Sequence, residues 1–121
     1  MIDVKELRVG NIVFLKSKNK YYEITSGYEI DNGTESDDFE PVELNEDILI
    51  KCFFVKQSIE GYYYLTLRMY SSELYIYHNV MSNLILMSED DVYICNTGIK
   101  YLHDLQNLYY ALTKKELEVS L

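Results

Sequence analysis

The chain has 121 residues, 48% of them hydrophobic and 26% charged. That is the size of one ordinary domain and the composition of a globular chain, neither disordered nor fibrous. Eleven basic residues stand against twenty acidic ones, a net charge of −9. Such a surface repels phosphate backbones and anionic lipids, so neither nucleic acid nor membrane is an expected partner.

In chain order, residues 3–7 suit one helical turn, which Val9-Gly10-Asn11 breaks. A short apolar strand over 12–15, a polar turn and a second strand over 21–30 follow, the strand–turn–strand that often opens SH3-like barrels. Residues 31–40 are acidic and centred on Asn32-Gly33, which predicts a loop. Asn45 is a good N-cap for a helix over 46–53, with Glu46 and Asp47 at the positive end of its dipole. Leu44 and Leu49 stand at hydrophobic-staple spacing.

Four strands at 62–70, 74–78, 84–87 and 92–95 then read as a meander. The strongest helix spans 100–112: Tyr101, Leu102, Leu105, Leu108, Tyr109 and Leu112 make one apolar stripe, expected to lie on the sheet as the main core element. His103, Gln106, Asn107 and Tyr110 face the other way. Thr113 with Glu116 suits a capping box for a further turn, and Leu117, Val119 and Leu121 alternate as in a last strand. The expected fold is α+β: one domain over 1–121, a mostly antiparallel sheet covered by two helices, the longer one C-terminal.

Three segments carry a resemblance. They are Glu6-Leu7-Arg8-Val9-Gly10-Asn11-Ile12-Val13, then Pro41-Val42-Glu43-Leu44-Asn45-Glu46-Asp47-Ile48-Leu49-Ile50-Lys51-Cys52, then Tyr101-Leu102-His103-Asp104-Leu105-Gln106-Asn107-Leu108-Tyr109-Tyr110-Ala111-Leu112-Thr113. Together, and in this order, they resemble an uncharacterised family of small proteins from Bacteroidota genomes, phages and mobile elements, with the pattern ELRIGN, PIPLTEEWLLKFGF and an HQLQNLYFALTGEEL-like tail. Asn45 replaces a capping Thr of that pattern, and Phe53 and Lys114 stand where it often carries Gly. The resemblance implies a phage or mobile-element setting and no particular chemistry.

Candidate chemistry is sparse. His78 and His103 are the only histidines, and neither has a Cys or second His at ligand spacing, so no metal or other cofactor is expected. Cys52 and Cys95 lie in apolar runs and read as buried thiols. No serine sits in a Gly-rich elbow and no phosphate loop is present, so an enzyme is not expected. The first residues lack the basic start and apolar run of a signal peptide, which predicts a cytoplasmic protein.

Thirteen tyrosines without a tryptophan are the unusual count. Tyr62, Tyr64, Tyr75 and Tyr77 on adjacent strands, with His103, Asn107 and Tyr110 on the helix, are the candidate binding residues. The leading expectation is a noncatalytic interaction protein, accessory to a phage or mobile element. It would bind a protein partner, or a second copy of itself, through the tyrosine-rich sheet face or the polar helix face. A small-ligand module, for example for carbohydrate, and an acidic inhibitor that mimics DNA are the alternatives.

Overall fold

The computed structural model describes residues 2–59, 62–69, 72–77, 85–88 and 93–121; the side chains of 57–59, 62–64, 72–73, 75–77, 88 and 93–96 are outside that description. His78, part of one expected strand, lies outside the described residues. The fold is α+β, and the chain gathers into two compact units. Unit 1 comprises Met1–Glu43 with Tyr101–Leu117, and unit 2 comprises Leu44–Lys100 with Glu118–Leu121. Among the described residues, no helix is long and apolar enough to cross a membrane.

Unit 1 opens with a 3-10 turn, Val4–Glu6, capped by Asp3 in a capping box with Glu6. Strand β1 (Ile12–Leu15) pairs antiparallel with β2 (Lys20–Glu23), as the sequence predicts, and on its other side with β3 (Phe39–Glu40). Between β2 and β3 lies helix α1, Gly27–Glu35, where a strand and then a loop are predicted. Ser26 caps it by accepting the Glu29 N–H. The Asn-Gly pair sits inside this helix because Gly33 faces the Phe39 ring; a Cβ there would fall 2.2 Å from Phe39 Cζ. The core of the unit joins Ile2, Leu7, Val13, Leu15, Ile24, Ile30 and Phe39, with Tyr22 packed against it.

Helix α3, Leu102–Thr113, packs on β1 and is the longest helix. Its buried face differs from the predicted stripe. Leu102 and Leu105 are fully buried, Tyr101, Leu108 and Tyr109 are half-buried, and Leu112 is 44% exposed. Polar His103 and Gln106 are buried instead. The helix ends at Lys114, which adopts a left-handed backbone (φ 62°). No further turn and no last strand form beyond it: residues 116–121 are irregular.

Unit 2 begins with α2, Glu46–Lys51, capped as predicted by Asn45, whose side chain accepts the Ile48 N–H at 2.9 Å. The helix stops earlier than predicted. Phe53 takes φ 67° and donates to Ile50 O, while Phe54 N–H reaches back to Leu49 O at 3.1 Å. These paired bonds are a Schellman ending, and buried Leu49 and Phe54 supply its apolar contact positions. A five-stranded antiparallel meander follows: β4 (Val55–Ile59), β5 (Tyr62–Arg68), β6 (Ser72–Tyr77), β7 (Ile85–Ser88) and β8 (Tyr93–Asn96), in that spatial order. Four of these strands match the expected meander, and β4 is an addition. Leu65 and Leu74 are fully buried in the sheet. Ser120 N–H donates to Lys51 O and ties the chain's last residues to the end of α2.

Candidate functional site

The polar face of α3 has a partner, and that partner is the chain's own opening segment. Gln106 is 2% exposed and reads two backbone groups at once. Its Oε1 accepts the Ile12 N–H at 2.8 Å and its Nε2 donates to Gly10 O at 3.0 Å. Asn107 donates to Glu6 O at 2.8 Å and accepts from Asn11 Nδ2 (2.8 Å) and Arg8 Nε (3.0 Å). Fully buried Asn11 in turn accepts the Arg8 N–H. Directional amides are needed because the turn after the 3-10 segment leaves backbone groups that no strand pairs, and a buried unpaired group costs about 1–3 kcal/mol.

Arg8 extends the network outward. Its guanidinium pairs with Glu116, donates to Gln106 O, and lies 4.6 Å above the centre of the Tyr110 ring. Glycine suits position 10 because φ is +99°, a backbone conformation that L side chains rarely adopt. The sequence segments around Glu6–Ile12 and His103–Tyr110 are therefore two sides of one intramolecular lock.

At one end of that lock three ligand-type groups converge. His103, whose side chain is 1% exposed, directs Nε2 at Glu6 Oε1 (3.3 Å) and Asp104 Oδ1 (3.4 Å). The ring stacks on Tyr101, with centroids 5.8 Å apart and planes 7° from parallel. Its Nδ1 has no hydrogen-bond partner among the described residues. The Glu6 carboxylate is held from its other oxygen by the Asp3 N–H in the capping box. Burial pushes the Asp104 carboxyl above its ordinary range; His103 opposes this and the charge of Glu6 adds to it. One oxygen or nitrogen from each of the three residues lies within 4.8 Å of the others.

The remaining sequence candidates fall elsewhere. Tyr62, Tyr64, Tyr75 and Tyr77 lie in unit 2 on β5 and β6, with Tyr64 opposite Tyr77 in register, and their side chains are outside the described residues. Cys52 is a free, buried thiol whose pKa burial pushes up to about 12, which removes it as a nucleophile near neutral pH. Tyr110 stays partly exposed beneath Arg8.

Sequence reasoning missed Glu6, Arg8, Asn11 and Asp104. The concentration of amides and a histidine on one helix face, where solvated helices usually carry Lys and Glu, was the available signal that this face meets another segment. Sequence reasoning also missed the exposed apolar run at the end of α2, where Ile50, Phe53 and Val55 all present side chains to water. Searches of family models, of curated proteins and of solved structures each found no match to this chain.

Proposed function

We propose that this is a noncatalytic interaction protein that binds a protein partner through the end of α2. The carrying observation is Phe53. A bulky residue with left-handed backbone costs about 1–2 kcal/mol relative to glycine, which is the usual occupant of this helix-ending position. Burial does not offset that cost, because Phe53 is 54% exposed. Ile50 and Val55 flank it, and the Ser120–Lys51 bond brings exposed Leu121 toward the same helix end. An exposed apolar centre of this kind suits a partner that carries an apolar patch of its own. Like-charged copies of the chain repel one another, which favours a different protein over self-association.

The buried, unreactive thiol and the internal use of the α3 amides support a noncatalytic role. The phage or mobile-element setting implied by the sequence resemblance suits an accessory of this kind.

Phe53→Gly separates fold from function. The variant keeps the left-handed ending with a residue that tolerates it, so thermal stability should hold or rise by up to about 1 kcal/mol. Capture from a native host, quantified by mass spectrometry against wild type, should lose the specific partner. Equal recovery by the folded variant would overturn this reading.

A further inference from the structure

We propose that Glu6, His103 and Asp104 form a site for a first-row divalent cation, with zinc the best fit. The argument begins with spacing. A tetrahedral ion with bonds of about 2.0–2.1 Å separates its ligand atoms by about 3.3–3.4 Å. His103 Nε2 stands 3.3 Å from Glu6 Oε1 and 3.4 Å from Asp104 Oδ1, so two edges of that figure already exist. The third edge, between the two carboxylates, is at most 4.8 Å. Both side chains are partly exposed, which leaves them room to turn and leaves the remaining coordination position open to water.

The groups come from two distant stretches of the chain, and two of them, Glu6 and His103, are held in place. The capping box holds Glu6 from its second oxygen, and the Tyr101 stack holds the imidazole plane. His103 is buried yet turns its Nε2 toward two acids, and Arg8, the cation of the same network, is engaged by Glu116 and Asn107. A cation between the three groups would be attracted by both carboxylates. An imidazole ligand selects zinc over magnesium or calcium, which prefer oxygen.

The orphaned Nδ1 sets the strength of the site. Ligation through Nε2 places the ring proton on Nδ1, where no described protein group accepts it. A group that accepts this proton contributes about 10–100-fold to metal affinity. The site is therefore weaker by that factor than a zinc site whose histidine finds an acceptor for its other ring nitrogen.

The test is zinc chloride titrated into the full chain by calorimetry, with cobalt(II) as a spectroscopic probe. The expected results are a one-to-one isotherm, intense visible cobalt bands of four-coordinate geometry, and a shift of the His103 ring nitrogens in NMR. Glu6→Gln and Asp104→Asn should each weaken binding by 10-fold or more while circular dichroism stays native. His78→Asn, which removes the only other histidine, should leave binding unchanged. Absence of saturable zinc binding would overturn the proposal. So would binding that survives both carboxamide variants in the folded state, or binding that depends on His78.

Discussion

Helix α3 of unit 1 and helix α2 of unit 2 differ in what their surfaces meet. In unit 1, α3 is fixed to the opening segment by the Gln106 and Asn107 amides, which read particular backbone groups of residues 6–12. In unit 2, α2 ends in backbone hydrogen bonds alone, from Phe53 to Ile50 and from Phe54 to Leu49, and leaves Ile50, Phe53 and Val55 at the surface. Hydrogen bonds are directional, so the amide lock defines one register for the helix. Apolar contact is not directional, and the apolar side chains left over remain available to another surface. The difference separates a region built to hold its own chain together from one with material left for a partner.

Leucine truncation at the centre of each unit should give the largest losses. Leu105→Ala and Leu49→Ala, both at fully buried positions, should each cost about 2–5 kcal/mol in urea or thermal unfolding. Leu108→Ala should cost less, because Leu108 is only half-buried.

Gln106→Leu sharpens the contrast. It keeps volume but strands Ile12 N–H and Gly10 O, so the loss should be about 1–3 kcal/mol per stranded group despite the gain in hydrophobicity. A neutral result would show that the lock is ornamental. Phe53→Gly, with its small gain, is the opposite arm of the same comparison.

A smaller effect concerns acid. Hydrogen bonds from Thr25 and then Tyr22 hold the Glu29 carboxyl below its ordinary range, and Ser17 does the same for Asp38. Carboxylates depressed in the folded state stabilise it above their unfolded values, about 4.3 for Glu and 3.9 for Asp. That stability is lost as pH falls through the lower folded values. Melting curves between neutral pH and pH 3 should show the decline, and Glu29→Gln should flatten it.

Much of this architecture is legible in the residues. Asn45 announces the start of α2, and the meander from β5 to β8 follows from alternating strands and polar turns. Helix α1 is hidden because Asn32-Gly33 is ordinarily a turn signal. Here the glycine answers a tertiary demand, the close approach of the Phe39 ring, which no local pattern reports. The end of α2 is signalled only by the resemblance, whose pattern often carries Gly where Phe53 stands; the aromatic itself gives no local sign of a left-handed backbone.

Of the candidate site, His103 and Asn107 are visible as unusual polar residues on a helix face. Their partners are not, because Glu6 and Arg8 look like any surface charges until residues far apart in sequence meet. The apolar stripe of α3 is misplaced for the same reason. Helical periodicity treats Gln106 as solvent-facing, whereas unpaired backbone at Gly10 and Ile12 draws it inside.

The make-up of unit 1 bears on the order in which the molecule assembles. Its two stretches of chain flank nearly all of unit 2. On the ribosome, Glu6, Gly10 and Ile12 emerge early and keep their hydration until Gln106 and Asn107 are translated. The intervening strands pair only with sequence neighbours, so their sheet has no such wait. The core residues between Ile2 and Phe39 likewise belong to one early stretch, so the step that must wait is the seating of α3 on the opening segment.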